Sequence, residues 1–134
     1  LPAEHYDVVV TALGVNDVTK GTSLRRFLAL QTRLIERLQA ERQAKLIVVS
    51  GLPPVKEFPA LPQPLRWVLG RQAQRFDAAL DLLVSPRAGC AVLKFDNSLD
   101  AGNMARDGFH PGPLVYAAWA RNIVRVITAR APFA

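Results

Sequence analysis

The chain has 134 residues, half of them hydrophobic and 21% charged, which suits one domain with a real core and excludes a disordered chain. No apolar run approaches the ~20 residues of a membrane-spanning helix and no signal peptide is visible; a single cysteine cannot form an internal disulfide and is compatible with the cytoplasm. The net charge is +6, but its Lys and Arg residues are scattered without a block of five or six, so nucleic-acid binding is not expected.

The first element is the apolar run Asp7-Val8-Val9-Val10-Thr11-Ala12-Leu13, ended by Gly14. A continuous run of this kind predicts a strand covered on both faces, as in a parallel sheet. Residues 23–44 predict a helix, with Leu24, Phe27, Leu28, Leu34, Ile35 and Leu38 recurring at three- and four-residue steps and Thr22 or Ser23 as its cap. Lys45 to Ser50 is a second buried strand. Five prolines between 53 and 64 predict an irregular, pinned loop rather than a flexible linker. A helix follows at about 64–84, with Leu65, Val68, Leu69, Phe76, Leu80 and Leu83 inward. Cys90 borders the third strand, Ala91 to Phe95, and is expected to be a small buried hydrophobe. Residues 96–109 form a polar loop, and Gly112-Pro113 opens a last helix to about Arg130. Tyr116, Ala120, Ile123, Val124 and Ile127 are expected to face the sheet.

Strand and helix thus alternate three times without repeat or boundary, which predicts an α/β fold with right-handed crossovers and a parallel sheet between helices. Sites in such sheets form at the carboxyl ends of the strands. Asn16 lies just past the first strand's carboxyl end, and the loop with Asp107 and His110 follows the third. The topology therefore brings both segments to one rim.

The residue types at that rim suit acyl chemistry. An imidazole titrates near neutral pH and can pass a proton between a nucleophile and a leaving group. Asp107, three residues before His110, can hold its tautomer if Gly108 permits a turn. Taken alone, Asp-x-x-His is as compatible with a surface pair capping the next helix. Metal ligation by the pair lacks companion ligands, so no metal or cofactor is expected. Asn16 carries two N–H donors that can stabilise a developing oxyanion; its alternative is a turn-shaping role after Gly14. Asp17 is expected to brace the loop by accepting backbone N–H bonds.

Together, an apolar strand followed by Gly14-Val15-Asn16-Asp17, and Asp107-Gly108-Phe109-His110-Pro111 before a helix with Tyr116 and Trp119, resemble the third and fifth blocks of the SGNH (GDSL-like) hydrolases. The strand ending in Gly51-Leu52-Pro53-Pro54 looks like that family's middle. The resemblance spans Asp7 to about Ile127. It implies a flavodoxin-like three-layer α/β/α sandwich, a single domain over 1–134, and a serine esterase or acylhydrolase working through an acyl-enzyme on a small-molecule ester. It assigns Asn16 to the oxyanion hole, His110 as general base and Asp107 as its orienting carboxylate, with Gly14 and Asp17 in support.

The family's nucleophilic serine belongs to a block upstream of the first strand, and only Leu1 to Tyr6 precede that strand here. Among Ser23, Ser50, Ser85 and Ser98, only Ser50 is near the rim, and its context lacks a nucleophile elbow. The expectation is an N-terminally incomplete fold, inactive by itself, in which the missing segment or another chain pairs with the bare edge of the strand at 7–13. The other expectation is a non-catalytic binding or dimerising module. Phe58, Trp67 and Phe109 are candidates for a substrate pocket, or for ordinary packing.

Overall fold

The computed structural model describes residues 4–95 and 102–132. Residues 96–101 of the predicted polar loop after the third strand, including Ser98, lie outside the described residues. The elements are β1 (Val8–Ala12), α1 (Val15–Thr19), α2 (Leu24–Arg42), β2 (Leu46–Ser50), a 3₁₀ turn (Val55–Glu57), α3 (Leu65–Val84), β3 (Cys90–Leu93) and α4 (Pro113–Arg130).

The three strands form a parallel sheet in the order β1-β2-β3, with Val8 opposite Leu46 and Ile47 opposite Cys90. All five residues of β2 are buried, which is why its sequence is apolar without alternation. Helices α2 and α3 bury Phe27, Ile35, Leu38, Ala73, Phe76 and Leu80 against Ile47, Val49 and Cys90 on one face. Helix α4 covers the other face, with Trp119, Ile123, Val126 and Ile127 against Leu46, Val48, Ala91 and Leu93. The result is the expected three-layer α/β/α arrangement. Ser23 caps α2 by accepting from the Arg26 N–H at 3.2 Å. Cys90 is a core residue, and burial pushes its thiol pKa up.

Two inner faces differ from the expectation. Leu65 and Val68 on α3, and Tyr116, Ala120 and Val124 on α4, stand exposed rather than facing the sheet. Small residues carry the first half of the α3 contact instead. Gly70 lies so close to the 3₁₀ turn that a Cβ there would sit 2.9 Å from the Cα of Lys56. A side chain cannot fit at position 70, so Leu65 and Val68 at the start of the helix turn outward, whereas Leu69, Phe76, Leu80 and Leu83 face the core as expected.

Among the described residues β1 is paired on one side only. Val8 packs into the layer under α4, whereas Val10 and Ala12, on the same face of the strand, are exposed. Both a hydrogen-bonding edge and an apolar strip are therefore open at β1.

Candidate active site

The chain leaves β1 through Gly14, whose φ of 127° lies outside the range that L side chains readily adopt. A Cβ there would also press on the Leu52 side chain at 3.1 Å. The turn starts α1, with the Val18 N–H donating to the Gly14 carbonyl at 3.0 Å. Asn16 therefore sits in the first turn of a short helix, not in a bare turn at the strand tip. Its carbonyl accepts from the Lys20 N–H and the Thr19 hydroxyl, and its exposed side chain lines a cavity. Asp17 braces this segment through its main-chain carbonyl, which accepts from the Thr22 N–H at 2.9 Å, rather than through its carboxylate as expected.

The loop holding Asp107 and His110 is closed by main-chain bonds. The Ala105 N–H donates to the His110 carbonyl at 2.8 Å, and the Gly112 N–H to the Asn103 carbonyl at 2.7 Å. Within that closure, Asp107 Oδ1 accepts from the Phe109 and His110 N–H groups, each at 3.0 Å. Its Oδ2 lies 2.5 Å from His110 Nδ1. One carboxylate thus shapes the turn and holds the ring. Helix α4 is capped at Gly112 without a side-chain bond, so the pair does not serve as that helix's cap.

Those three contacts, led by the His110 main-chain N–H, hold the Asp107 carboxyl well below the usual carboxylate range. A carboxylate depressed on folding contributes stability that is fully present above its unfolded value and is lost progressively as pH falls from there through the folded value. The Asp107 carboxyl ¹³C resonance is accordingly expected to stay flat between about pH 5 and pH 3, where a free aspartate titrates. A midpoint near 3.9, as for a free aspartate, would show that the three contacts do not hold in solution.

The cavity has a volume of about 470 Å³ and is lined by Ala12, Leu13, Gly14, Asn16, Asp17, Gly51, Phe58, Phe95, Phe109, His110, Tyr116 and Trp119, among others. It brings Asn16 and His110 together. Phe58 meets Phe109 edge-on at 5.2 Å, and the Ala60 N–H donates to the Gly108 carbonyl at 3.1 Å. The proline-rich loop therefore buttresses the turn of the Asp107–His110 pair. Trp67, the third aromatic candidate, lies outside the cavity on α3. Two contributors were not foreseen as contacts. The Trp119 indole N–H donates to the fully buried Ser50 hydroxyl at 2.9 Å, fixing one wall, and Asp77 Oδ1 accepts from the Leu52 N–H at 2.9 Å. Such pairings across the fold leave no local spacing signal.

Gly108 has φ 65°, and a Cβ there would lie 3.0 Å from the Ala60 nitrogen. Gly108→Ala is expected to lower stability by about 1–2 kcal/mol and to displace the Ala60–Gly108 bond. Denaturant titration measures the first, and amide exchange at Ala60 reports the second.

A family model described as "GDSL-like Lipase/Acylhydrolase family" matches residues 1–118. No curated protein matches the sequence. A solved structure described as "a putative platelet activating factor from Streptococcus pneumonia" superposes with a TM-score of 0.75 at 19% identity, covering 90% of this chain. The chain spans 59% of that protein's length, and the likeness is one of fold.

Proposed function

The chain belongs to the GDSL-like lipase/acylhydrolase family, a hydrolase group of the SGNH type, and from that premise we propose that it supplies the acid–base pair and an oxyanion donor of a carboxylic ester hydrolase. The observation that carries this reading is the cavity shared by Asn16 and His110, with Asp107 on His110 Nδ1. A free-standing surface pair would have no oxyanion donor beside it. The same observation favours an enzyme over a non-catalytic module.

With Nδ1 held by Asp107, Nε2 is the ring nitrogen left for proton transfer. A serine Oγ attacks the ester carbonyl carbon while His110 Nε2 takes the hydroxyl proton. The Asn16 amide donates to the carbonyl oxygen as it becomes negative. The protonated His110 then gives its proton to the departing alkoxide, leaving an acyl-serine. A water molecule repeats the sequence and releases the acid. Asp107 stabilises the imidazolium at each step without itself taking the proton.

The described serines do not fit the nucleophile. Ser50 is fully buried under Trp119, Ser23 caps α2, and the Ser85 hydroxyl donates to Asp81 at 2.6 Å. The reading places the nucleophile on a further strand that adds to the open edge of β1, whose C-terminal residue Ala12 borders the cavity. The apolar strip at Val10 and Ala12 suits cover by the same segment.

The test uses the protein extended at its N-terminus and short-chain nitrophenyl esters. Asn16→Ala is expected to lower kcat by about 10²–10³ with little change in KM, because its donor acts on the transition state. Turnover that does not depend on Asn16 would remove it from the oxyanion hole.

A further inference from the structure

We propose that the outer face of α3 seats the protein on an anionic lipid bilayer, with the helix lying in the plane of the interface. The face is read from the helix itself. Gly70, Ala73, Phe76, Leu80 and Val84 point into the core. The opposite stripe, at three- and four-residue steps, holds Trp67, Val68, Arg71, Arg75, Ala78 and Leu82. Trp67 is 56% exposed, Val68 51% and Leu82 80%. From Trp67 to Leu82 the stripe runs about 22 Å. It contains no acid, and the two acids of α3 are engaged off it: Asp77 accepts from the Leu52 N–H and Asp81 pairs with Lys94.

The composition matches an interfacial surface rather than a solvated one. Tryptophan at its end suits the headgroup level, and arginines send their charge to lipid phosphates while their stems cover apolar ground. Arg71 already lies over the Trp67 ring at 5.1 Å, so the cation and the aromatic present one amphipathic edge. Helix α2 offers a contrast within the same layer. Its outer face interleaves Glu36 and Glu41 with arginines and closes an Arg37–Glu41 bridge at 2.8 Å, which is an ordinary solvated surface.

Helix α4 also carries exposed apolar residues, but they have another occupant. Tyr116, Ala120 and Val124 form one row, and Tyr116 borders the cavity together with Ala12 and Leu13 of the β1 end. That is where the serine-bearing segment is placed. Helix α3 packs on α1, α2 and β3 through its inner face, and its outer stripe is turned away from the edge of β1. Its first turns pack on the 3₁₀ turn beside Phe58, so the proposed surface begins at the loop that walls the cavity. The α3 face is read without the esterase mechanism; only the occupant given to α4 rests on it.

The test is co-sedimentation of this chain with vesicles of phosphatidylcholine alone or with about one-third phosphatidylglycerol. Binding is expected only to the anionic vesicles, with a blue shift of tryptophan emission. The double variant Arg71→Gln/Arg75→Gln is expected to bind about thirtyfold more weakly, and Trp67→Ser/Val68→Ser to lose the blue shift. The control Arg25→Gln/Arg33→Gln on α2 removes the same charge and is expected to change binding by less than about threefold. All these positions are exposed, and circular dichroism verifies that the variants fold. Failure to bind anionic vesicles would overturn the proposal, as would an equal loss in the α2 control, which would mean attraction by net charge alone. A dimer in vesicle-free buffer that Trp67→Ser/Val68→Ser abolishes would assign the face to a second copy and overturn it too.

Discussion

In the N-terminally extended protein, His110→Ala is expected to reduce kcat/KM for nitrophenyl esters by about 10⁴-fold or more, with KM nearly unchanged. The size follows from the double use of one ring. In the proposed mechanism His110 removes the nucleophile's proton and later protonates the leaving group, so its loss slows two successive steps. Asp107→Ala is expected to cost one to two orders of magnitude less, because an imidazole without its partner still accepts a proton but spends time in the wrong tautomer and orientation. Asp107 has a second duty, since its Oδ1 holds the Phe109 and His110 N–H groups. The Asp107→Ala loss should therefore be accompanied by a looser turn, visible as faster amide exchange at those two residues. The kinetic loss would not accompany an Asp-x-x-His pair that only decorates the surface, whereas the looser turn follows from the Oδ1 bonds in either case. Ester turnover that survives His110→Ala would sink the catalytic assignment.

The sheet and its helices were legible because buried parallel strands have no polar face to keep. Val8 to Ala12, Leu46 to Ser50 and Cys90 to Leu93 announce themselves as apolar runs, and the parallel topology then carries Asn16 and His110 to one rim. The Asp107–His110 contact was legible from three-residue spacing around a glycine. What escaped was whatever depended on another part of the chain. The short α1 around Asn16 lacks the length for a periodic signal, and its Gly14 start resembles a turn. The Ser50–Trp119 and Leu52–Asp77 bonds join residues 69 and 25 positions apart. On α3 the inward positions Leu69, Phe76, Leu80 and Leu83 were legible, but Leu65 and Val68 were not, because close approach at Gly70 selects small residues near the start of the helix and smallness is not hydrophobic bulk. That same misplacement is informative. Val68, apolar and at an inward spacing, belongs instead to the acid-free stripe that faces outward beside Trp67.

Phe76→Ala tests the other foundation of the site, the packing that holds α3 and α2 to the sheet. Phe76 is fully buried and stacks on Phe27 with ring centroids 5.0 Å apart. Truncation removes the ring's burial and leaves a void among Phe27, Ile35, Ala73 and Leu80, whose backbones are fixed by two long helices. The expected cost is about 3–5 kcal/mol, against a total of about 5–15 kcal/mol for a domain of ordinary stability. The thermal midpoint should fall by more than about 10 °C. Leu82→Ala, on the same helix but 80% exposed, should change stability by less than about 0.5 kcal/mol. The two substitutions differ in which face of one helix they touch, so their contrast measures the assignment of that face directly. Equal effects would mean that α3 is rotated from the orientation described, and both the buttress behind the cavity and the outward stripe would have to be redrawn.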